Sequence, residues 1–155
     1  MDEKHALLRN ELRYGQRLCE RTARYYRRLQ AFGTFATVLG GGATLSALAS
    51  AVPPGVSITG ACVMSVFGAA LIAIRPADKA ATAEADMKRY ARLLHESNGL
   101  DAVALRTAMD KLGEGDCPEV ESLRPVAYND IVREVGREDQ VIPLKPHQRL
   151  LACIA

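Results

Sequence analysis

The chain has 155 residues, 20 Lys/Arg against 18 Asp/Glu, and a mean hydropathy near zero. That average combines unlike parts: residues 1–28 hold eight basic and four acidic side chains, residues 75–155 hold twelve and fourteen, and residues 29–74 hold none. Forty-six consecutive uncharged residues argue against an ordinary soluble enzyme and for a membrane-embedded effector, pore or anchor.

Met1-Asp2-Glu3-Lys4-His5 opens with charges of both signs, so no secretory signal is expected. Residues 3–28 read as a helix running into the uncharged stretch. Arg13, Arg17, Arg21, Arg24 and Arg28 recur at spacings of four and three on one face. Leu8, Leu12, Gly15, Cys19, Tyr26 and Leu29 form a seam on another. Arg17, Arg21, Arg24 and Arg28 are candidates to face lipid or a partner, because basic residues beside a bilayer attract anionic lipid. Binding to a nucleic acid backbone and ion pairing within the protein are the other uses of such a stripe.

Val52-Pro53-Pro54-Gly55 divides residues 29–74 into two apolar arms, about Ala31 to Val52 and Val56 to Ile74. Each approaches the 20 or so residues that span a bilayer. Arg24, Arg27 and Arg28 precede the first arm, Arg75 and Lys79 follow the second, and the turn carries no charge. Basic residues collect on the cytoplasmic side, which predicts a two-helix transmembrane hairpin with both termini in the cytoplasm. Tyr25 and Tyr26 stand where interfacial aromatics collect.

Small residues recur every fourth position: Gly42, Ser46 and Ser50, then Ala43, Ala47 and Ala51, in the first arm, and Ala61, Ser65, Ala69 and Ala73 in the second. Such rows let helices approach closely in lipid. Gly40, Gly41, Gly42, Ser46, Ser50, Ala61, Ser65 and Ala69 are therefore candidates for helix packing, or for facing a water path in an oligomer. The first arm is the weaker span, because Gly40-Gly41-Gly42 and several hydroxyls lower its hydropathy. The competing soluble reading makes both arms the buried core of a helical bundle. Such helices usually keep a polar face.

Arg75-Pro76 marks the exit, and residues 77–97 read as a helix with Ala80, Ala83, Met87, Tyr90 and Leu94 as its seam, ended by Asn98-Gly99. This seam and the one in residues 3–28 predict an antiparallel cytoplasmic stalk, about 30–40 Å long at 1.5 Å per residue. Asp101 suits the N-cap of a short helix to Leu112, and residues 113–118 read as a loop. A last helix is expected at 126–135, closed by Gly136. Residues 137–155 remain a tail with Pro143, Pro146 and an apolar end. The predicted fold is all-α, in segments 1–28, 29–74, 75–136 and 137–155.

No catalytic, cofactor-binding or metal-ligating set emerges. His5, His95 and His147 are far apart, and Cys19, Cys62, Cys117 and Cys153 form no close pair. Gly40-Gly41-Gly42 lacks the ending of a phosphate loop. The arms carry no ionisable group of the kind that proton-coupled transport uses.

A Tyr/Arg-rich helix (Arg21-Thr22-Ala23-Arg24-Tyr25-Tyr26-Arg27-Arg28) enters the two arms. An Ala-rich helix with Tyr90 and Leu94 leaves them, and Ala127-Tyr128-Asn129-Asp130-Ile131-Val132-Arg133-Glu134 follows. Over residues 10–140 this layout resembles the bacterial SLATT family of two-transmembrane proteins. The resemblance implies a non-enzymatic, homo-oligomeric effector of the bacterial inner membrane, permeabilising it in antiphage conflict. A separate nucleotide-sensing or nucleotide-synthesising protein would activate it; no cofactor and no nucleic acid partner is implied. The alternatives are a holin-like or accessory phage membrane protein, and a non-conducting scaffold that recruits a partner.

Overall fold

The computed structural model describes residues 3–48, 53–113, 118 and 120–155. Ser50, Ala51, Val52, Cys117 and most of the 113–118 loop lie outside them. The described residues are all-helical: α1 (Glu3–Leu48), α2 (Pro54–Ile74), α3 (Pro76–Glu96), α4 (Ala102–Gly113), α5 (Arg124–Glu134) and α6 (Pro146–Ile154), with short 3-10 turns at Ser97–Gly99, Glu121–Leu123 and Glu138–Gln140.

Local chemistry explains most boundaries. Pro54 opens α2 in the first turn, where its missing N–H costs nothing. Arg75 ends α2 in the left-handed region at φ 49, its N–H donating to Leu71 O at 3.0 Å. Proline disfavours right-handed helix in the residue before it, so α2 stops where Pro76 starts α3. The Ala104 N–H donates to Asp101 Oδ1 at 2.7 Å, which makes Asp101 the N-terminal acceptor of α4. After α5, Gly136 takes φ +76. Its N–H reaches Arg133 O and the Arg137 N–H reaches Val132 O, a Schellman closure that suits glycine.

The chain divides into two compact units, Met1–Tyr25 with Lys79–Ala155, and Tyr26–Asp78.

In the first unit, two apolar clusters hold the helices. Leu12, Leu93 and Leu105 pack with Leu8, Tyr90, Leu94, Leu100, Ala108, Met109 and Leu112. They join the start of α1 to the end of α3 and to α4. Gly15 admits the Tyr90 ring so closely that an added Cβ would lie 2.7 Å from Cε1. His5 Nε2 lies 2.9 Å from Ser97 O. Position therefore falls along α3 as it rises along α1. The second cluster, Leu18, Leu123, Val126, Ala127 and Ala155, takes in Tyr14, Tyr25, Leu144, Leu151 and Ala152.

Residues 146–154 form α6, and Ala155 is buried against α1 and α5. The local sequence gives a weak helix signal, because Pro143 and Pro146 lie close together. Pro146 instead serves as the first helical residue, and Gln148 Oε1 accepts from the Lys145 N–H at 2.9 Å.

In the second unit, α1 and α2 meet through glycine. A Cβ at Gly40 would lie 2.5 Å from Gly60 O and 2.8 Å from Met64 N, and one at Gly60 would lie 2.7 Å from Gly40 O. Gly33 accepts the Leu71 side chain, and Phe32 meets the Phe67 ring edge-on at 5.6 Å.

Candidate functional site

Two surfaces carry chemistry that a bare helical scaffold does not need. One is the outer face of the second unit, the other a cluster of ion pairs in the first.

The outer face of the second unit is apolar. Phe32, Phe35, Val38, Leu39, Leu45, Ile58, Val66 and Ile72 are all more than half exposed, Ile72 by 78 %. No charged residue occurs from Leu29 to Ile74. Scattered exposed apolar residues are ordinary, but a contiguous set of this kind marks an interaction surface. Among the described residues one helical stretch, Gly55–Gly99, contains a window long and apolar enough to cross a membrane, and 6 % of that window is buried. Its charge-free part is α2, ending at Arg75. A soluble core helix of that composition would be mostly covered.

Four hydroxyls on these arms are satisfied by their own helices. Thr37 donates to Gly33 O at 2.8 Å, Thr44 to Gly40 O at 2.9 Å, Ser46 to Gly42 O at 2.9 Å, and Thr59 to Gly55 O at 2.9 Å. Such back-bonds remove the need for water at these groups.

The small-residue candidates separate on inspection. Gly40 sits at the α1–α2 contact, and Gly41 is at its edge, where an added Cβ would lie 3.4 Å from Met64 Sδ. Gly42, Ser46, Ser65 and Ala69 stand on exposed faces, and Ala61 is half-buried. Ser50 lies outside the described residues. Of the rows counted along the first arm, the one that begins at Ala43 reaches this contact, since a Cβ at Gly60 would lie 2.8 Å from the Ala43 Cβ. Gly33 and Gly60 also lie at the α1–α2 contact, and neither was singled out from the sequence. A signal existed: Gly33 and Gly40 are seven residues apart, on one face of α1.

In the first unit, the arginine stripe turns toward the chain itself. Arg21 pairs with Asp130 at 2.8 Å, with both side chains under one-fifth exposed. Arg17 pairs with Glu20 at 2.9 Å and with Glu134 at 3.3 Å, and Arg24 pairs with Glu20. Arg21 also donates to Ala152 O and Arg24 to Ala155 O, each at 3.3 Å. Guanidiniums on the last carbonyls of α6 complement the negative end of its dipole. At these three positions the stripe is an ion-paired face, one of the uses its spacing allows. Arg28 is exposed and belongs to the second unit.

Electrostatics follow from this geometry. Partial burial pushes the Glu20 carboxyl up, but the Arg24 and Arg17 guanidiniums outweigh it and hold the carboxyl below its ordinary value. Burial likewise works against the charged Arg17, and hydrogen bonding and attraction from Glu20, Asp130 and Glu134 raise it overall.

Among the described residues no group of three or more His, Cys, Asp or Glu side chains is placed to hold a metal ion. No family model, curated protein or solved structure matches the chain.

Proposed function

We propose that the chain is a membrane protein in which residues 29–74 cross the bilayer as a two-helix hairpin. The observation that carries this reading is the exposed, charge-free apolar face of the second unit. Close glycine contacts between α1 and α2, and the back-bonded hydroxyls of Thr37, Thr44, Ser46 and Thr59, suit a lipid solvent. The basic flanks support a topology with both termini in the cytoplasm of a bacterial cell and the first unit as a cytoplasmic stalk.

On this reading the protein is a SLATT-like effector of the inner membrane. Copies assemble through exposed small residues and permeabilise the bilayer when a nucleotide-sensing or nucleotide-producing protein signals infection. Its layout supports this assignment. A second reading is a non-conducting scaffold, and the back-bonded hydroxyls favour it: Thr37, Thr44 and Thr59 already have acceptors and call for no water path.

The test has two stages. Carbonate extraction of the expressed chain comes first, with thiol labelling of Cys153 and of Ser57→Cys beside the turn. Cys153 is exposed, whereas Cys19 is buried and a poor reporter. Resistance to extraction, with position 57 labelled only from the periplasm, is the expected result; a carbonate-soluble chain would sink the membrane reading. Ion flux in proteoliposomes then separates effector from scaffold.

A further inference from the structure

The ion pairs of the first unit leave positive charge unbalanced. Arg13, Arg17 and Arg21 stand four residues apart on α1, and Asp130, Arg133 and Glu134 lie within one turn of each other on α5. Each set therefore shares one helical face. A cleft of about 430 Å³ is lined by Arg17, Arg21, Arg24, Asp130, Arg133 and Glu134. An adjoining cleft of about 300 Å³ shares Arg17 and Glu134 and adds Arg13 and Glu20. Five guanidiniums and three carboxylates thus line the two, an excess of two positive charges.

The arginines fall into two groups. Arg21 and Arg24 are committed to the chain: Asp130 and Glu20 pair with them, and the carbonyls of Ala152 and Ala155 accept from them. The other three are less fully engaged. Arg17 reaches Glu134 at 3.3 Å, and that carboxylate is 52 % exposed. Arg13 and Arg133 make no ion pair or hydrogen bond among the described residues. One solvated arginine would need no explanation. Here two unpaired guanidiniums line the clefts that Arg17 joins, and the ion pairs of Arg21 and Arg24 hold the neighbouring wall.

Chemistry selects the ligand. A guanidinium offers five N–H donors in a planar fork that matches the oxygens of phosphate. A phosphate dianion balances the excess of two charges, whereas a single carboxylate would leave one.

We propose that these clefts bind a small phosphate-bearing anion, with its phosphate on Arg17 and Arg133 and with Arg13 adding positive charge from the adjoining cleft. Glu134 is the internal competitor, because it occupies Arg17 until the anion arrives. The site lies wholly within the first unit and does not depend on residues 29–74 crossing a bilayer. A soluble phosphate ester and a lipid headgroup offer the same chemistry, and the test separates them.

Inorganic pyrophosphate, without divalent cations, is titrated calorimetrically into the full-length chain in a phosphate-free detergent. The expected result is saturable binding, weakened about tenfold by Arg133→Gln and by Arg13→Gln, since each removes a charge-assisted hydrogen bond. Glu134→Gln should bind more tightly than the parent, a gain that damage to the fold would not produce. Arg106→Gln on α4 removes the same charge outside the clefts and should bind like the parent. The titration is then repeated with the chain in phosphatidylcholine nanodiscs containing phosphatidic acid or, for equal charge, oleate. Weaker pyrophosphate binding with phosphatidic acid than with oleate assigns the site to a lipid headgroup; equal binding assigns it to a soluble ligand.

Three outcomes overturn the proposal. Absence of saturable binding at millimolar pyrophosphate removes the site. An equal loss in Arg106→Gln and Arg133→Gln means diffuse counterion attraction only. Unchanged or weaker binding by Glu134→Gln means that the phosphate does not compete for Arg17.

Discussion

Asn129 and Ile142 exchange two hydrogen bonds: Asn129 Nδ2 donates to the Ile142 carbonyl, and the Ile142 N–H donates to Asn129 Oδ1, both at 2.8 Å. The Asn129 side chain thereby substitutes for a backbone partner and ties the approach to α6 onto α5. Asn129 is 2 % exposed, so its amide would be costly to bury without these partners.

Asn129→Ala should loosen residues 137–155 at a cost of about 1–3 kcal/mol, since it orphans two backbone groups. Hydrogen exchange should show faster exchange over 141–155 with little change at Leu105. Unchanged protection of the tail would mean that the apolar face of α6 holds it alone.

Gly40 and Gly42 should respond oppositely to a methyl group. Gly40→Ala meets Gly60 O and Met64 N and must push α2 away, whereas nothing lies within 4 Å of a Cβ at Gly42. Gly42→Ala should be neutral or stabilising by up to about 1 kcal/mol from helix propensity. Thermal unfolding in detergent ranks the two, and equal melting temperatures would contradict the glycine contact.

Ser46 is exposed and donates only within its own helix among the bonds seen. Ser46→Leu should therefore leave insertion and the stability of the single chain within about 0.5 kcal/mol of the parent. If copies pack through this row, the same change should reduce vesicle leakage and crosslinked oligomer. Full leakage with normal oligomers would remove Ser46 from any contact between copies.

Glu20 carries the pH dependence of the ion-paired cluster. Its carboxyl is held below the ordinary value in the folded protein, so the ionised form is favoured there. The associated stability is present above the unfolded glutamate value of about 4.3, and is lost as pH falls through the lower folded value. Glu20→Gln should be destabilised at neutral pH, and its deficit should close as the parent is acidified. Parallel stability curves for parent and Glu20→Gln down to strongly acidic pH would refute this role.

Much of the helical layout was legible in the sequence, because its signals are local. Pro54, Pro76, Asp101 and Gly136 set or mark helix ends through the conformations and hydrogen bonds available to those residues alone. The uncharged run from Leu29 to Ile74 needs no partner to be recognised. The pairings were not legible, because they depend on how one helix is rotated and shifted against another. Counting every fourth residue finds rows such as Ala61, Ser65 and Ala69 but does not say which row faces inward; register brings Gly40 to Gly60 instead. The arginine spacing was equally plain, yet Arg21 meets Asp130 and Ala152 across more than a hundred residues of chain. The sequence by itself determined that this protein is built of helices around a charge-free stretch. Only the tertiary structure decided which glycines touch, where the arginines discharge, and that the proline-flanked tail is a docked helix. Those choices depend on long-range packing, which no local run of residues encodes.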